Sequence, residues 1–246
     1  MLKAIPAIDI MKGKVVRLTQ GDPKLVKQYD SLGSPTEFAE RWKREGAEKL
    51  HIIDLDAAFS DGDNRALISE ITKTVHIPIQ VGGGIREIET ARNLLSKGVT
   101  QVILGSLAFS EPDAIRELQK EFGKNPIIVA LDNKEGKIMV QGWKSPTEFT
   151  VSQALREFSR LEVRTFLITS IAKDGMLSGP DLDTLGKACK FPNINVIAAG
   201  GIGTLQDLTA LKEVGVKAAV IGKALYEGRF TLKEAIETAK GEMIKQ

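Results

Sequence analysis

At 246 residues, with 42% hydrophobic and 27% charged positions, the sequence has the composition of an ordinary globular chain, long enough for one large α/β domain or two small ones. A net charge of +2, with bases and acids interspersed as in Glu40-Arg41-Trp42-Lys43-Arg44-Glu45, gives no reason to expect nucleic acid or a membrane as partner. The single Cys189 excludes an intramolecular disulfide, and no run approaches the roughly 20 apolar residues of a membrane span.

Strand-like apolar runs are predicted near 4–8, 50–53, 77–81, 101–104, 126–131, 163–168, 194–198 and 217–221. Helical periodicity fills the intervals at 35–45, 64–74, 87–97, 111–120, 150–159, 181–189, 205–214 and 231–240. Ser34-Pro35, Asp63, Ser110-Glu111-Pro112 and Thr231 stand where helix caps or first-turn residues belong. Gly46, Gly98 and Gly215 fall just past helix ends, where a left-handed cap is needed. Strict alternation of this kind implies parallel strands joined by right-handed crossovers. The expectation is an α/β fold, a single (β/α)8 barrel over residues 1–246. A doubly wound sheet is the alternative, but no Gly-x-Gly-x-x-Gly follows the first strand.

Two internal echoes suggest that the barrel is a doubled half. Ala7-Ile8-Asp9 followed by Gly13-Lys14 returns 123 positions later as Ala130-Leu131-Asp132 followed by Gly136-Lys137, each a buried strand ending at an aspartate and followed by a small hairpin. Gly83-Gly84-Ile85 and Gly105 return 117 positions later as Gly200-Gly201-Ile202 and Gly222. Half-barrels of about 1–123 and 124–246 are therefore expected.

In a barrel the chemistry gathers at the C-terminal ends of the strands. Gly83 and Gly84 follow the third predicted strand, Gly105 and Ser106 the fourth, Gly200 and Gly201 the seventh, Gly222 and Lys223 the eighth. Glycines there let backbone approach a ligand and offer N–H groups to an anion, so two matched sets imply a ligand with a phosphate at each end. Ser106 and Arg86 add a hydroxyl and a charge to the first set. Asp9 and Asp132, ending the first and fifth strands, face one another across the axis and suit proton removal on one side of a substrate and delivery on the other. Asp174, in the loop after the sixth strand, is expected to cover the mouth, with Thr169 at its start. Asp54 and Asp56 read equally as caps or ligand contacts. Trp143, in the loop after the fifth strand, is placed to stack on a flat heterocycle when that loop closes. Trp42 reads as packing. His51 and His76 lack metal-ligand spacing, so no metal is expected.

Several stretches resemble a known family: Ile5-Pro6-Ala7-Ile8-Asp9 with Gly13-Lys14-Val15-Val16-Arg17-Leu18, Gln80-Val81-Gly82-Gly83-Gly84-Ile85-Arg86, Leu131-Asp132 with Gly142-Trp143, and Lys173-Asp174-Gly175 with Ser178-Gly179-Pro180. They are similar to the phosphoribosylformimino-5-aminoimidazole carboxamide ribotide isomerases of histidine biosynthesis, and the likeness runs to Gly222-Lys223-Ala224-Leu225-Tyr226-Glu227-Gly228. The resemblance implies an Amadori rearrangement of an aminoaldose carrying two phosphoribosyl groups, with no cofactor or metal, and the lone Cys189 fits a reducing compartment, the cytoplasm. It assigns Asp9 as the base at C2 and makes both other acids essential, with Asp132 the formal proton donor and Asp174 competing for that role. Thr169 matches a hydroxyl residue of the family's sixth-strand site. The sequence departs from the pattern at Ser170, where an acid is common, and at Met176, where a threonine is. The cyclase acting next in the pathway is a rival, but its first strand reads Cys-Leu-Asp and it lacks the Gly-Trp. An isomerase that also accepts phosphoribosylanthranilate is a second rival, and a non-catalytic phosphosugar-binding barrel a third.

Overall fold

A computed structural model describes residues 1–241. Its strands, in chain order, are β1 (Lys3–Met11), β2 (Lys14–Thr19), β3 (Asp22–Gln28), β4 (Leu50–Asp54), β5 (Ile79–Gly82) and β6 (Gln101–Leu104), then β7 (Ile127–Lys134), β8 (Lys137–Val140), β9 (Ser145–Thr150), β10 (Thr165–Ser170), β11 (Asn195–Ala199) and β12 (Ala218–Ile221). Eight of these, in the order β1-β4-β5-β6-β7-β10-β11-β12, pair in parallel, and β12 pairs with β1 to close the barrel. Closure leaves no free edge among them.

The remaining four strands were not expected as full elements. β2 and β3 extend β1 as an antiparallel ribbon, and β8 and β9 do the same for β7. The predicted hairpins after Asp9 and Asp132 are present, but each carries a third strand. As a result Asp9 and Asp132 do not end their strands: each sits two residues inside, because β1 runs to Met11 and β7 to Lys134. Likewise Thr169 and Ser170 belong to β10 rather than to the loop after it. Short helices at Leu55–Phe59, Ser106–Ser110 and Lys223–Tyr226 also add to the eight expected. Runs of four or five residues lack the length for a periodic apolar signal.

The long helices form for the reasons their sequences suggest. Val151, Ala154, Leu155 and Phe158 fall on one face of Val151–Arg160 and are buried, and Thr150 with Gln153 closes a capping box. Ser34 with Glu37 and Thr231 with Glu234 do the same, each cap being worth about 1 kcal/mol. At Asp63 the expectation shifts by one: Asn64 is the cap residue of Arg65–Val75, and the Asp63 carboxylate accepts from the Arg65 N–H instead. Gly46, Gly98 and Gly215 adopt φ of +99°, +95° and +96°, the left-handed region a side chain resists.

Two apolar layers result from the period-two alternation of strands. Ile5, Ala7, Ile103, Ile128, Ala130, Leu167, Ile197, Ala218 and Val220 fill the barrel interior, while a larger cluster fills the space between strands and helices. Asp9 is the next inward position after Ala7, and Asp132 the next after Ala130. The pleat alone therefore aims both carboxylates into the barrel mouth. Among the described residues no helix is long and apolar enough to cross a membrane, and no cluster of His, Cys, Asp or Glu is arranged to hold a metal.

Candidate active site

The mouth holds a cavity of about 250 Å³. All fourteen residues expected at the site line it: Asp9, Asp132 and Asp174, the glycines 83, 84, 105, 200, 201 and 222, and Arg86, Ser106, Trp143, Thr169 and Lys223. β1 and β7 are diametrically opposed in the strand order, so Asp9 and Asp132 enter from opposite walls. Asp174 enters from the loop after β10.

The three acids have different partners. Asp9 Oδ2 accepts from Arg17 Nη1 at 2.5 Å. Arg17 Nη2 also donates to the Ala7 carbonyl, and its guanidinium lies 5.0 Å from the centre of the Tyr226 ring. Burial lifts the Asp9 carboxyl above its ordinary range, opposed by the Arg17 charge and hydrogen bond. Asp132 Oδ2 accepts from Trp143 Nε1 at 2.8 Å, and Thr169 is its register neighbour on β10. Burial lifts Asp132 as well, opposed by those two donors. Asp174 is pushed up to about 7 by burial and then by the Asp9 charge, with Arg17 opposing. A carboxylic acid that still holds its proton near neutrality is a general acid in waiting.

The glycines answer to two different constraints. A Cβ on Gly83 would lie 2.2 Å from the Asp54 carbonyl oxygen, and one on Gly201 2.2 Å from that of Gly179. These positions are glycine because neighbouring loops pass against them, whatever binds in the cavity. Gly105 differs, since a Cβ there would meet nothing within 4 Å. Gly105 and Gly222 adopt nearly the same backbone (φ −96°, ψ −102° and φ −107°, ψ −103°), each opening a short helix without a side-chain cap.

Some expected residues are turned toward protein partners. Arg86 donates to the Ala57 and Ala58 carbonyls at 2.8 Å each. Lys223 Nζ donates to the Gly175 carbonyl at 2.8 Å, and the Ser106 hydroxyl accepts from the Gln141 N–H at 2.8 Å. Asp54 caps Leu55–Phe59 and binds Asn64, while Asp56 accepts from the Lys12 N–H and from Asn64. Both are buried structural acids. Trp42 is core, as expected.

The structure adds residues whose part the sequence concealed. Arg17 is buried, and its only outward sign is a base inside the apolar run Val15-Val16-Arg17-Leu18. His51 lines the inner cavity wall, its Nδ1 2.8 Å from Gln80 Nε2. Burial, aided by the Arg17 charge, lowers it to about 3, so the ring is neutral.

Comparison with known proteins agrees with this geometry. Residues 3–231 match the family model described as "Histidine biosynthesis protein". The chain is 45% identical over 236 residues to a protein of Methanocaldococcus jannaschii, covering 96% of this chain and 98% of that one. It is 41% identical over 235 residues to one of Cenarchaeum symbiosum, with coverage of 96% and 99%. A protein of Clostridioides difficile is 42% identical over 231 residues, with coverage of 94% and 95%. All three relatives are named 1-(5-phosphoribosyl)-5-((5-phosphoribosylamino)methylideneamino) imidazole-4-carboxamide isomerase.

Proposed function

The chain belongs to the histidine biosynthesis protein family, and on that premise we propose that it is the isomerase that converts the bisphosphorylated aminoaldose named in its relatives to the aminoketose. The carrying observation is the convergence of three carboxylates in one cavity whose rim bears two matched glycine sets. An acid protonates the ribose ring oxygen and opens the ring to an iminium ion. A base then removes the C2 proton to give the enolamine, which tautomerises to the ketose.

Asp9 is the base. Its raised affinity for a proton strengthens it, and Arg17 keeps its position fixed. Asp174 has the stronger case as acid: burial and then the Asp9 charge push it up to about 7, whereas the burial that raises Asp132 is opposed by hydrogen bonding and no neighbouring acid adds to it. Asp132, held by Trp143 and Thr169, is placed to orient the opened chain. The turns at Gly83, Gly84, Gly105 and Ser106 take one phosphate, with Arg86 beside them, and those at Gly200, Gly201, Gly222 and Lys223 take the other. The paired hairpins after β1 and β7, and the matched backbones of Gly105 and Gly222, support descent from a doubled half-barrel.

Turnover of the aminoaldose bisphosphate, followed by ultraviolet absorbance, tests the reading. Wild type should be active, and Asp9→Asn should lose at least about a thousandfold in kcat while binding stays within about tenfold. Wild-type rates equal to buffer would end the isomerase reading. Phosphoribosylanthranilate run in parallel tells a single-substrate enzyme from a broader one.

A further inference from the structure

We propose that Gln20, at the tip of the β2–β3 ribbon, is the positioning residue for Asp174, holding the loop after β10 down over the cavity. The two lie far apart in sequence but are joined by a pair of hydrogen bonds. The Gln20 backbone N–H donates to the Asp174 carbonyl at 3.1 Å, and its side-chain Nε2 donates to the Ala172 carbonyl at 2.9 Å. Gln20 is exposed and packs into no core, so the reach of its side chain to a loop carbonyl is what ties it to this position. The loop lies close against the ribbon: a Cβ on Gly175 would stand 2.7 Å from the Leu18 carbonyl oxygen. Lys223 Nζ grips the Gly175 carbonyl from the other side. Gln20 thus supplies the ribbon's half of a clamp across the turn that carries Asp174.

The consequence falls on protonation. Asp174 faces Asp9 on β1, Arg17 on β2, Asp132 on β7 and Lys223 at the start of its short helix. Burial and the Asp9 charge keep its proton on, and both act only while the loop stays down. Without the Gln20 side-chain bond to Ala172 the ribbon's grip rests on the backbone bond to Asp174 alone, the loop lifts, and the carboxyl moves toward solvent and toward its ordinary acidity. An acid catalyst then loses its proton at lower pH, so the alkaline limb of kcat/KM moves down.

This inference rests on the reading of Asp174 as an acid of the isomerase, and the experiment separates the two. The pH dependence of kcat/KM for the aminoaldose bisphosphate is measured for wild type, Gln20→Ala, Gln20→Glu and Asp174→Asn in the full chain, with thermal melts alongside. Both Gln20 variants should melt within about 2 °C of wild type, lose about threefold to tenfold in kcat/KM at pH 7, and show an alkaline limb lower by about half a unit or more. An inactive Asp174→Asn beside Gln20 variants with an unmoved limb, whether or not their rate falls, overturns the inference alone. An Asp174→Asn variant as active as wild type overturns the role of Asp174 and this inference with it.

Discussion

Arg17 and Asp9 meet at 2.5 Å in the barrel mouth, the guanidinium backed by the Tyr226 ring and the Ala7 carbonyl. Asp9 pairs through β1 with Val16 of β2, so the ribbon that carries Arg17 is fixed in register one residue from the carboxylate it pairs with. Gly222 completes the arrangement, since a Cβ there would come within 2.8 Å of the guanidinium carbon.

Arg17→Met should therefore act on the base. Without the guanidinium, burial acts on Asp9 unopposed and its pKa climbs further. The acid limb of kcat/KM should move up by about one unit or more, with a large loss of rate at pH 6 that shrinks toward pH 8. A uniform loss across pH would show that Arg17 serves substrate binding alone.

Asp174→Asn should stabilise the ligand-free protein while ending its catalysis. The folded-state pKa of Asp174 is raised from 3.8 to about 7, so its contribution is fully present below about pH 4 and is lost as pH rises through 7. Asparagine escapes that loss. Urea unfolding should show the variant more stable than wild type by about 1 to 2 kcal/mol at pH 8 and equal to it near pH 4, the full shift being discounted because the carboxyl faces a cavity open to solvent. Equal stability at both values would contradict the raised pKa.

The glycines should divide into two classes. Gly83→Ala forces a methyl against the Asp54 carbonyl at φ +96° and should cost about 2 kcal/mol or more, read as a lower melting temperature. Gly105→Ala meets no protein atom and has φ −96°, so its melt should match wild type while KM rises severalfold through crowding of the phosphate. An unchanged KM would move the phosphate elsewhere.

Trp143 should report on the ligand. Its Nε1 donates to Asp132 and its ring packs against Gly21, where a Cβ would stand 2.3 Å from the indole. Trp42 is buried in the core and should stay silent. Titration with the bisphosphate should change tryptophan emission in wild type and leave Trp143→Phe unresponsive. A signal surviving in Trp143→Phe would assign the change to Trp42.

Much of the molecule was legible in the sequence because its signals are local. Alternating strands and helices, the caps at Ser34 and Thr231, and the inward period that carries Ala7 to Asp9 and Ala130 to Asp132 depend on neighbours a few residues away. From these, with the glycine spacing and the family resemblance, the sequence by itself pointed to the barrel, the end that bears the cavity and fourteen residues that line it. Tertiary structure alone decided which groups answer one another. The Arg17–Asp9 pair depends on a ribbon bending back over the barrel, the bond of Gln20 to Ala172 joins positions remote in the chain, and Asp174 is pushed up to about 7 because a loop buries it beside Asp9. Desolvation and Coulomb coupling depend on distance through space, which residue spacing does not encode.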